Sequence, residues 1–152
     1  MQPATQNPTL QSLEILVGEW SVEISNMSFL PDPTALGQGR CRFEWLERGA
    51  YLLMHSGADN PDVPNAVGVI GRDDSLPTYS MLYFDSRGVS RIYEMSLEGR
   101  AWKQWRNAPG FLQRFSGTIS DDGTTITASW EKLTDGSNWE HDFDMTYRRI
   151  DR

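Results

Sequence analysis

Phe111-Leu112-Gln113-Arg114-Phe115-Ser116-Gly117-Thr118-Ile119-Ser120-Asp121-Asp122-Gly123-Thr124-Thr125-Ile126-Thr127-Ala128-Ser129-Trp130-Glu131-Lys132-Leu133 is the stretch from which the fold can be read. On both sides of Asp121-Asp122-Gly123, aromatic, Ile and Thr residues recur with a period of two, the period of a strand whose faces differ. The glycine between them supplies the positive φ of a tight hairpin. Residues 112–120 and 124–133 are therefore expected to pair as antiparallel neighbours.

The same pattern extends outward in both directions. Period-two segments occupy roughly 20–27, 38–46, 50–58, 65–72, 78–85, 89–98, 101–106 and 139–150. Glu47-Arg48-Gly49, Ser86-Arg87-Gly88, Glu98-Gly99-Arg100 and Asp135-Gly136 repeat the turn chemistry, so consecutive strands should form a meander. Pro31 with Pro33, and Pro61 with Pro64, mark two longer loops of the kind that rim a barrel mouth. Ahead of the first strand, Asn7 stands as a helix cap, Pro8 takes the first helical position, and Leu10, Leu13, Leu16 and Val17 recur at helical spacing. A sheet of about ten strands is too wide to stay open comfortably, and closure removes both unpaired edges. The fold class expected is all-β, a closed antiparallel meander β-barrel of about ten strands with one short N-terminal helix over an apolar opening. One domain spans 1–152: a polar arm over 1–7, a helix over 8–17 and the barrel over 20–150.

Composition narrows the function. The chain has 152 residues and a formal charge of −7, with acidic residues scattered throughout, which opposes binding to nucleic acid phosphates. No apolar run approaches the roughly 20 residues of a membrane span, and Met1 to Thr9 lacks a signal pattern, so a cytoplasmic protein without a membrane span is expected. Cys41 is the single cysteine, read as a buried inert thiol. With His55 and His141 the only two histidines, the clusters that define zinc and iron sites are not available, and no metal is expected. Gly37-Gln38-Gly39 lacks a third glycine and precedes a strand, so it is no dinucleotide fingerprint.

Leu16-Val17-Gly18-Glu19-Trp20, a helix running through Gly-x-Trp into the first strand, resembles the start of calycin-type barrels such as lipocalins and nitrobindin-like proteins. Asp144-Met145-Thr146-Tyr147-Arg148-Arg149-Ile150 resembles the closing strand of nitrobindin-like and related uncharacterised bacterial (DUF1579-like) barrels, and Phe43-Glu44-Trp45-Leu46 falls between. The resemblance implies that Trp20, after Gly18, packs against a basic residue of the last strand, Arg148 or Arg149. Nitrobindin-like proteins bind haem through a His of the closing strand in a stretch resembling His-Leu-His-x-Thr-Tyr. The matching residues here read Asp142-Phe143-Asp144-Met145-Thr146-Tyr147. A carboxylate at the ligand position is a poor substitute for imidazole, so haem is disfavoured and no cofactor is expected.

By parity Glu140, Asp142 and Asp144 share one face of that strand, and Trp139, His141, Phe143, Met145 and Tyr147 the other. Only one set points inward, and a local bulge is what would turn His141 inward and restore a haem ligand. On the third strand His55 shares a face with Tyr51, Leu53 and Gly57. In the middle strands Arg91, Arg106 and Arg114 lie beside Tyr83, Tyr93, Trp102 and Trp105, a mixture able to anchor an anionic head while aromatic faces hold an apolar body. The function expected is non-enzymatic binding of a small apolar or amphipathic molecule in the lumen. The alternatives are an enzyme using His141 or a barrel carboxylate as acid or base, and a homodimeric interaction module with a filled barrel and surplus Trp on its dimer face.

Overall fold

The computed structural model of the chain describes residues 7–32 and 34–151; residues 1–6 of the expected polar arm, and Pro33, lie outside the described residues. Among the described residues ten strands are formed: β1 (Gly18–Ser25), β2 (Gly37–Leu46), β3 (Tyr51–Ala58), β4 (Ala66–Arg72), β5 (Tyr79–Asp85), β6 (Ser90–Glu98), β7 (Ala101–Ala108), β8 (Phe111–Ile119), β9 (Thr125–Leu133) and β10 (Glu140–Asp151). Each pairs antiparallel with its sequence neighbour, and β1 also bonds to β10, so the meander closes into a barrel. The hairpin read first is present in register, with Ile119 opposite Ile126. Its turn is held by Asp122, whose carboxylate accepts from the Thr124 amide and from the hydroxyls of Ser120 and Thr124. Gly123 there has φ of 72°. At Gly39 the requirement is space rather than φ, because a Cβ would run into the carbonyl of Gly57 on β3.

The N-terminal helix spans Pro8–Leu16 and is a 3-10 helix. Three residues per turn place Leu10, Leu13 and Leu16 directly above one another, and all three are fully buried. An apolar ridge of that spacing is served better by the tighter helix than by an α-helix, where it would drift around the surface. Val17, expected as the last helical residue, is extended and already leads into β1. Asn7 caps the helix by accepting from the Thr9 amide at 3.0 Å. The element closes one end of the barrel: Ser12 Oγ meets Tyr79 Oη at 2.6 Å, and Trp45 Nε1 donates to Glu14 at 3.2 Å.

Arg149 binds this cap to the barrel, and Arg148 is exposed. Its guanidinium lies 4.1 Å from the centroid of the Trp20 ring, donates to the carbonyls of Ile15 and Val17 at 2.6 Å each, and reaches the Gly123 carbonyl with Nε at 3.1 Å. Trp20 Nε1 in turn donates to the Leu16 carbonyl at 2.9 Å. From Trp20 a connected series of ring contacts crosses the interior through Tyr147, Trp102, Phe115, Trp130 and Phe143 to Phe29 at the far end.

One expectation about β10 fails. Register shifts between His141 and Phe143: His141 stands opposite Glu131, Phe143 opposite Trp130, and Asp142 is the extra residue. The bulge splits both parity sets. Phe143, Met145 and Tyr147 share the inner face with Trp130, whereas His141 follows Glu131 to the outside. Asp142 is drawn in and buried, and Asp144 stays outside, where it accepts from Asn26 at 2.7 Å.

Candidate functional site

The end opposite the helix is framed by residues 26–32 and 34–36, residues 59–65 and the turns after β5, β7 and β9. Four luminal side chains meet just beneath it. Gln113, buried on β8, accepts at Oε1 from Arg91 Nη1 at 3.0 Å and from the Tyr93 hydroxyl at 2.9 Å. Arg106 is the β7 partner of Gln113 in register and donates from Nη1 to the Phe111 carbonyl at 3.1 Å. The Arg91 guanidinium also lies 5.3 Å from the Phe111 ring centroid. Burial pushes the Tyr93 phenol up, while Arg91 and Arg106, both close to it, pull it down. Neither arginine has a carboxylate partner among the described residues.

Neighbouring charges are already engaged. Tyr83 donates to Asp85 at 2.8 Å, and Arg87 bonds the same carboxylate at 2.7 Å. The Arg87 guanidinium and the Tyr83 hydroxyl hold Asp85 well below the usual carboxylate range against the cost of its burial. Across the mouth Lys132 lies 3.5 Å from Asp142, which also accepts from Ser28 Oγ at 3.2 Å. Two half-buried guanidinium groups therefore remain uncompensated in a chain of net charge −7. Together with the Tyr93 hydroxyl they form a donor cluster suited to an oxyanion.

No family model matches the chain, and no curated protein matches it. Among solved structures, the crystal structure of Rv2717c from M. tuberculosis is similar to it, with a TM-score of 0.69 at 14% identity over 95% of this chain and 99% of that one. That likeness extends to the ten-stranded antiparallel barrel. It leaves the chemistry to be read from the side chains of this chain.

Those side chains sort the expected site residues into two groups. Tyr83, Arg91, Tyr93 and Arg106 come together at the mouth, and Trp102 lies deeper on the luminal face of β7. Trp105, Arg114 and His141 do not join them. Trp105 is on the outer face and donates to Glu94 at 3.1 Å. Arg114 is outside too, paired with Glu131 at 2.7 Å and 4.0 Å from the Trp139 ring centroid. His141 is exposed and pairs with Asp144 at 2.9 Å. The residues at the ligand position of the closing strand do not fit a haem iron: Asp142 is tied to Lys132 and Ser28, and both His55 and His141 face outward. Gln113 was missed by sequence reasoning because an isolated glutamine carries no motif. So were the methionines: Met27, Met54, Met81 and Met95 are buried in the core, and Met145 packs against it.

Proposed function

We propose that the protein binds a small amphipathic anion at the barrel mouth, without catalysing a reaction. The observation that carries this reading is the convergence of Arg91 and Arg106 on Gln113 and Tyr93 with no carboxylate paired to them among the described residues. An acidic head group supplies the missing charge. The rings of Tyr83, Tyr93, Trp130 and Phe143 and the five methionines supply an adaptable apolar surface for the body, since thioether side chains repack at small cost. Enclosing such a body removes apolar area from water at roughly 25 cal/mol per Å2, offset in part by lost ligand freedom. Titration with a medium-chain fatty acid, followed by tryptophan fluorescence, should saturate. Arg106→Met should weaken the acid by about tenfold or more and its neutral alcohol analogue far less, because charge-assisted bonds are lost only for the acid. Equal losses would remove Arg106 from the site.

A second reading, self-association, has its own support on the outer wall. Leu53, Val69, Leu82 and Ile92 stand opposite one another across β3, β4, β5 and β6, forming an outward apolar row. Ile92 is 66% exposed, Leu82 44% and the adjacent Phe84 49%. A contiguous apolar patch of this kind on a sheet face fits a protein partner better than solvent.

A further inference from the structure

Within the barrel one polar atom is left over. Trp102 Nε1 is the buried side-chain nitrogen or oxygen without a hydrogen-bond partner among the described residues. Three other indoles are served: Trp20 by the Leu16 carbonyl, Trp45 by Glu14 and Trp105 by Glu94. Trp102 is 1% exposed and enclosed by the rings of Phe43, Phe115 and Tyr147. An orphaned donor at such depth bears the full cost of desolvation and calls for an explanation.

Two nearby donors have only poor acceptors. The Gln104 amide, next along the luminal face of β7, reaches the Met81 sulfur at 3.9 Å, and the Tyr147 hydroxyl reaches the Met145 sulfur at 3.5 Å. A thioether is a weak acceptor. The interior thus holds one unserved and two weakly served donors, and its own acceptors, Gln104 Oε1 and Tyr147 Oη, receive no hydrogen from Trp102. It also resists charge, since burial pushes both the Cys41 thiol and the Tyr147 phenol up. The group that satisfies these donors is accordingly a neutral oxygen.

We propose that the ligand held at the mouth carries a second, neutral oxygen acceptor part-way along its body, a ketone or hydroxyl, which the Trp102 indole N–H receives inside the barrel. This rests on the reading that an amphipathic anion enters with its head at Arg91 and Arg106. Trp102 and Arg106 share one face of β7 four residues apart, which is roughly 13 Å at about 3.3 Å per residue. A head group held by Arg106 therefore leaves an apolar spacer before the acceptor. The class is an oxo or hydroxy fatty acid.

The test compares dodecanoic acid with a series of its mono-oxo derivatives in which the ketone steps along the chain. Binding is read by fluorescence and by the indole proton resonances of isotope-labelled tryptophan, with Trp102 identified by its absence from Trp102→Phe. One oxo position should bind roughly tenfold more tightly than the parent acid and move the Trp102 proton downfield, the strength expected of one well-placed hydrogen bond. Trp102→Phe should abolish the preference while retaining dodecanoic acid binding. Equal binding by every member with the Trp102 proton unmoved overturns the inference and leaves the mouth reading standing. Binding of none overturns both. Cross-relaxation from a long-lived water to the Trp102 proton that persists under saturating acid assigns the N–H to a buried water and overturns the inference. If Trp102→Phe fails to fold, the Trp102 indole proton is identified in the unsubstituted protein by its cross-relaxation to the ring protons of Phe43, Phe115 and Tyr147, and the shift is read there.

Discussion

Arg149 joins three parts of the chain through one guanidinium: the helix carbonyls of Ile15 and Val17, the Gly123 turn and the face of Trp20. Its replacement by Met leaves those carbonyls unpaired beside an indole that has lost its cation. The expected cost is about 2–4 kcal/mol by chemical denaturation, with Arg149→Lys recovering part of it. Three phenols define a second residue-scale expectation. Tyr83, Tyr93 and Tyr147 are all raised, chiefly by burial, and in Tyr83 also by its bond to Asp85. A folded-state value above the ordinary phenol value of about 10 stabilises the protonated form, so the contribution is intact below that pH and is lost as pH rises through the folded values. Phenolate absorbance should therefore show these three tyrosines ionising together with loss of the near-ultraviolet circular dichroism signal. Ionisation of all tyrosines near pH 10 with the fold intact would contradict their burial. Asp85 has the opposite sign: its contribution is present above the usual carboxylate value and is lost as pH falls.

Two elements differ from a plain reading of their periods. The leucine spacing of residues 8–16 announces a helix, but the choice of the 3-10 form belongs to the barrel end beneath it, which accepts a ridge of Leu10, Leu13 and Leu16 in a single line. Leu13→Ala should cost about 2–5 kcal/mol, as for other fully buried leucines, and should increase binding of an apolar dye if the barrel end opens. A stability change below about 0.5 kcal/mol would show that the helix is not the plug described. Strand β10 differs for another reason. Turn residues and alternation locate it almost completely, yet the extra residue at Asp142 exists only relative to β9, whose Trp130 pairs with Phe143 and whose Glu131 pairs with His141. A bulge is a property of two strands, and reading one of them by parity sent His141 to the same face as Phe143.

At the scale of the molecule the barrel has two faces that can meet a partner, the mouth and the outer wall of β3–β6, and they make separable predictions. Self-association through the wall should appear as a concentration-dependent mass in light scattering that Ile92→Lys abolishes without altering ligand binding. A monomer at every concentration would retire that reading and leave the mouth unaffected. A shallow concavity of about 670 Å3 lined by Phe84, Ile92, Trp105 and Asn107 on this wall also touches Arg91 and Arg106, so it runs from the wall toward the mouth and would be partly covered in such a contact.

Strand number, meander order, closure and the helix over one end were legible in the sequence, because alternation, glycine turns and edge avoidance are short-range rules that each segment obeys on its own. Most of the mouth cluster was legible as well: Tyr83, Arg91, Tyr93 and Arg106, all but Gln113, were visible as residue types on neighbouring strands. Which arginine turns inward was decided only in the folded barrel. Arg106 and Arg114 look alike in one dimension, but the register of β7 against β8 places Arg106 beside Gln113 in the lumen and leaves Arg114 outside with Glu131. The orphaned Trp102 N–H is likewise invisible until every neighbour is in place, since a hydrogen bond left unmade is a fact about surroundings and not about a residue.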